Sequence, residues 1–270
     1  MTATTTTLAP SRGSTPGRLS RAVADGSAIC ARNLRVLVRL PQAVVFATIQ
    51  PVIFVLMFRY VFGGAIRVTD GPYVDFLIPG IFVTTVVFGA MGTAVGLADD
   101  LGKGLIERLR SLPMAPSAVL TGRTAADLVR NVFVVALMAV VGFLVGFRVH
   151  TGVVAFLAAL LLVLLFSYSL LWLFALVGLA TANAETAQAA SFPIMAPLTF
   201  ASSAFVPVAS MPGWLQPYAD NQPVSATVDA ARALVLGGPT TGVVLQALAW
   251  SVGILVVAAT LAVRRYRRVV

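Results

Sequence analysis

The chain of 270 residues is 59% hydrophobic and 11% charged, against roughly 45–50% apolar and about 25% charged residues in an ordinary soluble domain. So few charged side chains cannot coat a globule of this size, which excludes a soluble cytosolic enzyme and makes a bilayer the natural solvent. The net charge of +9, from 19 Lys and Arg against 10 Asp and Glu, gathers in the N-terminal arm, one internal loop and the C-terminal tail, the pattern of membrane orientation and not of a nucleic-acid groove with interleaved aromatics.

Residues 1–20, rich in Thr, Ser, Pro and Gly, have no apolar run and read as a disordered cytosolic arm, neither a helix nor a cleavable signal peptide. From Arg21 to Leu40 the apolar Ile29, Leu34, Leu37 and Val38 alternate with Arg21, Arg32, Arg35 and Arg39. That spacing suits an amphipathic helix on the inner leaflet, and equally a helical lead-in to the first span.

A spanning helix needs about 20 mostly apolar residues. Six stretches meet that length: 41–62, 76–98, 128–147, 153–181, 187–208 and 241–263. The fourth would be roughly 43 Å long at 1.5 Å per residue, so it tilts or extends past the headgroups. The fifth contains Pro193 and Pro197, which remove backbone donors and should kink it. With the N-terminus inside, the arm, the loop between spans two and three together with the entry to span three, and the tail hold fifteen of the 19 basic residues, leaving Arg59, Arg67, Arg148 and Arg232 outside. Six spans with both termini cytoplasmic satisfy the positive-inside bias, and an odd number would put Arg264, Arg265, Arg267 and Arg268 on the wrong side.

Two connecting segments are unlike ordinary loops. Between Asp99 and Asp127, Leu105, Ile106, Leu109 and Leu112 fall at i, i+1, i+4 and i+7, one helical face, with Glu107, Arg108 and Arg110 on other faces and Pro113 as a stop. Such a short amphipathic helix either seats in a groove of a partner or lies on the membrane as a linker. Between spans five and six, Pro207, Pro212, Pro217 and Pro223 punctuate a segment with Trp214 and Tyr218, and an Ala-rich run from Ser225 to Leu236 follows. Short helices dipping into the outer leaflet fit that pattern, as does a simple interfacial anchor.

Several chemistries lack their residues. Lys103 follows Gly102, but Leu97 stands where a phosphate-cradling loop needs its first Gly and Gly104 where it needs Ser or Thr, so this motif does not hold ATP. His150 sits beside Arg148 in a short outer loop, far in sequence from any exposed acid, and reads as a surface histidine and not part of a Ser/His/Asp triad. Cys30 is the single cysteine, so neither a disulfide nor a Cys-based metal cage can form within the chain. Acids cluster at span ends, at Asp99, Asp100 and Asp127, or in the loop at Glu185; an ion-coupled secondary carrier acting alone would need them inside the spans. Gly92 to Gly96 and Gly142 to Gly146 have the GxxxG spacing that permits close helix approach, within the chain or between copies.

The stretches GLIERLRSLPMAPSAVLTGRTAADLVR from Gly104 to Arg130 and SSAFVPVASMPGWLQPYADNQPVSATVDAARAL from Ser202 to Leu234 resemble the membrane subunits of type-2 ABC exporters, especially the daunorubicin-resistance-like drug permeases. The resemblance covers most of the chain after residue 20 and implies an all-α integral membrane protein with one transmembrane domain over 21–270. It also implies a permease in the cytoplasmic membrane that pairs with a second copy or a related permease. Separate ABC ATPase subunits would bind and hydrolyse the ATP, and this chain would hold no cofactor, metal or catalytic residue. Carried onto this sequence, the family's coupling helix would present Glu107, Arg108, Arg110 and Ser111 as polar contacts and Leu105, Ile106, Leu109 and Leu112 as its packing ridge. The helix over Arg21–Leu40 would match the membrane-surface connecting helix, and the Pro-rich segment with Trp214 the re-entrant outer gate. The cargo would be a lipophilic or amphipathic small molecule, for whose path Phe46, Phe54, Met57, Phe88, Met91, Phe200 and Phe205 are candidates; the same residues would serve as packing or lipid-facing side chains. A non-transporting scaffold or sensor would use the same surface helix, and no single residue here sets the direction of transport.

Overall fold

The computed structural model describes residues 26–35, 41–64, 66, 71–104 and 116–269. All regular structure among them is helical. Helix α1 covers residues 26–35, α2 Pro41–Leu56 continuing into a π-helical turn at Met57–Phe62, α3 Tyr73–Gly102, α4 Pro116–Leu144, and α5 Val153–Gly178. Helix α6 covers Ala184–Phe200, α7 Gln216–Asn221, α8 Pro223–Leu236 and α9 Thr241–Val269.

Among the described residues, four stretches are long and apolar enough to cross a membrane: Tyr73–Gly102, Val119–Leu144, Val153–Gly178 and Thr241–Arg268; Thr48–Phe62 is apolar but shorter. Helix α3 is the hub. Its most apolar window is 67% buried, against 17% for α9, because α2, α4, α5, α6 and α8 all pack on it. Small residues set these distances: a Cβ on Gly178 of α5 would lie 2.6 Å from the Ala94 carbonyl oxygen of α3, and Gly80 of α3 lets the Ala204 carbonyl approach its backbone. The main core, including Leu77, Ile81, Phe82, Phe166 and Phe174, gives way at the end bearing the C-terminal tail to a second cluster of Ile29, Leu97, Leu120, Trp172 and Tyr266. Helix α1 joins that cluster through Ile29 while Arg32 and Arg35 stay exposed, as its alternating pattern requires.

The helix limits differ from the sequence expectation in three places. Helix α4 begins at Pro116 instead of 128 and ends at Leu144, so Arg123 and Asp127, expected ahead of span three, lie in the same helix as Arg130. Phe147, expected inside span three, is buried in the turn after it, where Gly146 takes φ +102°, a conformation suited to glycine. The fifth expected span, 187–208, is a 17-residue helix that starts at a capping box, with Thr186 N–H donating to Asn183 Oδ1 at 2.8 Å. It ends at Phe200, where the carbonyls of Leu198 and Ala201 accept 3.0 Å bonds from Gln222 Nε2. Pro193 and Pro197 are carried inside it, and Gln222 supplies donors where its terminal carbonyls have none. The chain then turns at residues 201–207 and re-enters the bundle as α8, whose Val224, Val228, Ala231 and Val235 are buried against α5, α9 and α3.

Candidate functional site

Three groups of residues run along α3 from one end to the other. At the tail-bearing end, α4 presents Arg123, Asp127 and Arg130, one face at i, i+4 and i+7. Asp127 is 8% exposed; its Oδ2 accepts from Thr93 Oγ1 at 2.7 Å and from Arg123 Nε at 3.4 Å, and its Oδ1 faces Arg130 Nη1 at 3.2 Å. Arg123 also pairs with Asp100 and donates to the Gly96 carbonyl at 3.2 Å, while Arg130 donates to the Gly89 carbonyl at 2.7 Å. The GxxxG pair Gly92 and Gly96 therefore makes room for guanidinium groups: a Cβ on Gly96 would run into Arg123, and one on Gly92 would sit 3.4 Å from Arg130 Nη1. These bonds fasten α3 and α4 together just where the segment 105–115 joins them. Charged hydrogen bonds of this kind are strong because the surroundings are dry.

Deeper along the same helices lies a cavity of about 130 Å³ whose polar lining is Gln50, Thr85, Arg130 and Asn131. Asn131 Nδ2 donates to Ser167 Oγ at 2.8 Å, which fixes the amide, and the buried Thr85 Oγ1 has no hydrogen-bond partner among the described residues. Phe88 forms part of the wall and begins an aromatic column. Phe54 meets Phe88 edge-on at 6.0 Å and Phe205 at 6.0 Å, Phe58 stacks on Phe205 at 4.5 Å, and Phe200 lies 6.3 Å from Phe205. The π-helical turn Met57–Phe62 carries Phe58 in this column; such wider turns re-aim side chains inside helices.

The column reaches a third group at the far end. Arg232 of α8, with its side chain 11% exposed, donates to the carbonyls of Phe76 at 2.9 Å and Ser203 at 2.6 Å, pairs with Asp229 at 3.0 Å and lies 3.5 Å over the Phe76 ring. Asp229 in turn accepts from Ser203 Oγ at 2.8 Å, and Tyr73 donates to the Phe205 carbonyl at 2.8 Å. Beside it Asp75, 4% exposed, accepts from the Arg148 backbone N–H at 2.9 Å and meets His150 Nε2 at 3.0 Å. Asp75, His150, Asp229 and Arg232 border an open cavity of about 530 Å³. Outside the spans, the hydrogen bond and charge of Asp99 raise the Lys103 pKa, and burial raises those of Cys30 and Tyr218, so Cys30 is not an activated thiol.

Of the residues singled out from sequence, Leu105, Ile106, Glu107, Arg108, Leu109, Arg110, Ser111 and Leu112 lie outside the described residues, as does the side chain of Phe46. Pro207 leads into the short turn Val208–Ser210, Pro217 and Pro223 occupy first-turn positions of α7 and α8, Pro212 is exposed, and Trp214 is 80% exposed. The prolines thus start helices. Phe54, Phe88, Phe200 and Phe205 come together; Met57 and Met91 take no part in the column's ring contacts. Asp75 is not among the residues that stand out in the sequence, where His150 is expected as a surface histidine and Arg232 as an outside charge. His150 is half exposed yet bonded to a buried carboxylate, and Arg232 is internal. The available signal was the helical spacing of Asp229 to Arg232, a weak one for burial.

A bundle of apolar helices with internal charge pairs and a re-entering chain between its last two long helices defines a multi-pass membrane protein. Residues 26–236 match the ABC-2 type transporter family. The daunorubicin resistance ABC transporter permease protein DrrB1 of Streptomyces coeruleorubidus is 35% identical over 227 residues, 84% of this chain and 80% of that protein. The probable doxorubicin resistance ABC transporter permease protein DrrC of Mycobacterium tuberculosis is 29% identical over 226 residues, 83% of this chain and 82% of that protein. The putative transport permease ycf38 of Cyanophora paradoxa is 26% identical over 204 residues, 73% and 69% of the two chains. The chain belongs to the ABC-2 type transporter family and is the membrane permease subunit of an ABC exporter; ATP hydrolysis by a partner subunit is what the family implies.

Proposed function

We propose that this permease exports a planar aromatic, amphipathic compound of the drug or antibiotic type across the cytoplasmic membrane. The observation that carries the reading is the aromatic column Phe88–Phe54–Phe58–Phe205–Phe200 running from the polar cavity at Thr85, Arg130 and Asn131 to the outer turn held by Arg232. Rings offer stacking faces to a flat apolar cargo while the cavity receives its hydroxyl or carbonyl groups, the usual division of labour in a small-molecule site. The resistance named for two of the relatives, to daunorubicin and doxorubicin, agrees with that cargo class.

In this reading the protein crosses the membrane six times as a single domain over 21–270, with both termini and the arm 1–20 in the cytoplasm. α2 and α6 are the first and fifth spans, and α7 and α8 are re-entrant. Glu107, Arg108, Arg110 and Ser111, with the ridge Leu105, Ile106, Leu109 and Leu112, dock on a separate ABC ATPase. ATP closure of two such subunits moves that segment, and the Arg123–Asp127–Arg130 ladder carries the motion into α3 and α4 together. The outer turn, with Pro207, Pro212, Trp214, Pro217 and Pro223, opens as the gate of a pair of permeases. The chain itself binds no cofactor. The test is uptake of doxorubicin into inverted vesicles holding the permease and its ATPase. ATP-dependent uptake is expected to fall at least tenfold in Phe54→Ala and Phe205→Ala while Phe192→Ala, which alters an exposed ring outside the column, keeps it. Equal uptake by all three variants would remove the column from the path.

A further inference from the structure

Between α5 and α9 the outer face of the bundle carries an open groove of about 550 Å³. Leu173 and Leu176 form one wall and Trp250, Gly253, Val257 and Leu261 the other. Gly253 keeps it open, since no heavy atom lies within 4 Å of a Cβ placed there. At 3.6 residues per turn the stripe 250, 253, 257, 261 continues directly into Arg264 and Arg268. Both arginines are exposed, and among the described residues neither has a carboxylate partner. Next to them Arg265 Nε donates to the Leu179 carbonyl at 3.1 Å, which ties α9 to the end of α5 at the mouth of the groove.

An apolar slot that ends on two exposed arginines, without a carboxylate partner among the described residues, is the chemical complement of an anionic diacyl phospholipid, an acyl chain in the slot and the phosphate on the guanidinium groups. The lengths agree. Trp250 stands about 21 Å along the helix from Arg264 at 1.5 Å per residue, which is about half a hydrocarbon core plus one headgroup layer. A second copy is a poor occupant: two chains in the same membrane orientation meeting symmetrically through this stripe would set Arg264 and Arg268 against their own images, a like-charge contact. We propose that the α5–α9 groove is a binding site for an anionic phospholipid of the leaflet that faces the C-terminal tail. The site is separate from the aromatic column and does not depend on it.

The test uses the purified full-length chain in phosphatidylcholine vesicles containing phosphatidylglycerol, one lipid at a time carrying brominated acyl chains that quench tryptophan. The Trp250 signal is isolated as the difference from Trp250→Phe. Brominated phosphatidylglycerol should quench it at roughly fivefold or more lower mole fraction than brominated phosphatidylcholine, the preference expected from one to two basic residues at an anionic surface. Arg264→Gln with Arg268→Gln should erase the preference, and Arg148→Gln, at the other end of the bundle, should not. Equal quenching by the two lipids, or a preference that survives loss of both arginines, overturns the proposal. So does absence of quenching by either lipid, which would mean that protein fills the groove.

Discussion

Replacing Asp127 by alanine removes the one carboxylate that Thr93, Arg123 and Arg130 share, at 2.7, 3.4 and 3.2 Å. The two guanidinium side chains are only 18% and 16% exposed, so water cannot take over the lost pairing. Breaking a buried ion pair from one side costs about 3–5 kcal/mol. Arg123 keeps Asp100 and the Gly96 carbonyl, and Arg130 keeps the Gly89 carbonyl, which places the expected loss at the lower end, about 3 kcal/mol. For a chain of this size that corresponds to a fall in apparent Tm of roughly 6–12 °C, measured by heating the detergent-solubilised protein at a fixed rate and following the monodisperse fraction. Asp127→Asn, which keeps an acceptor for Thr93 and loses only the charge, should fall between wild type and Asp127→Ala. Asp127→Ala should also lower cargo-stimulated ATP hydrolysis, because α3 and α4 no longer move as one. A fall of less than about 2 °C in Asp127→Ala, well under the calibration above, would refute the claim that this ladder joins the two helices.

Other consequences are as specific. Glu107→Arg with Arg110→Glu should uncouple cargo-stimulated ATP hydrolysis while membrane insertion is unchanged; unaltered stimulation would remove the docking role of that segment. Gly178→Leu drives a side chain against the Ala94 carbonyl, 2.6 Å from where its Cβ must lie, and should cost about 1–3 kcal/mol by overpacking. Gly242→Ala, with open space around its Cβ, should leave the Tm within a degree or so of wild type, as surface changes of up to about 0.5 kcal/mol do. Arg232→Met removes the guanidinium donors of the Phe76 and Ser203 carbonyls and leaves the Asp229 carboxylate with only the Ser203 hydroxyl. With residues 201–222 on the outer side, as proposed, their cleavage by protease added to the outside of intact cells should then rise; unchanged resistance would show that Arg232 does not hold that turn.

The spans from 76, 153 and 241 were legible because each is an unbroken apolar run that only a bilayer accommodates. The start of α4 was not, since Arg123 and Asp127 look like loop charges until Asp100, Gly96 and Thr93 of α3 arrive to neutralise and bond them, a fact of tertiary packing. The helix expected as a fifth span was drawn too long at its C-terminal end: apolar residues continue to 208, but the helix stops at Phe200, where Gln222 takes its carbonyls. The short helices between the last two long ones were readable from proline at their first turns, and the amphipathic character of α1 from its alternating arginines. Within the candidate site, Phe54, Phe88, Phe200 and Phe205 were named from composition alone, yet their order in a column depends on the π-helical turn and the returning segment. The Asp75–His150 and Arg232–Phe76 contacts join residues 75 and 156 positions apart, and no local pattern announces them.

What the permease carries with it out of the membrane tests the role of residues 104–117 most directly. Gentle extraction of the tagged chain from its native membrane, followed by mass spectrometry of what remains bound, should recover an ABC ATPase subunit in stoichiometric amount. That subunit should be lost when residues 104–117 are altered and kept when the exposed Trp214 is replaced by alanine. Recovery of the chain without any ATPase across several detergents, or an ATPase that stays bound after residues 104–117 are altered, would contradict the coupling assignment on which the transport mechanism rests.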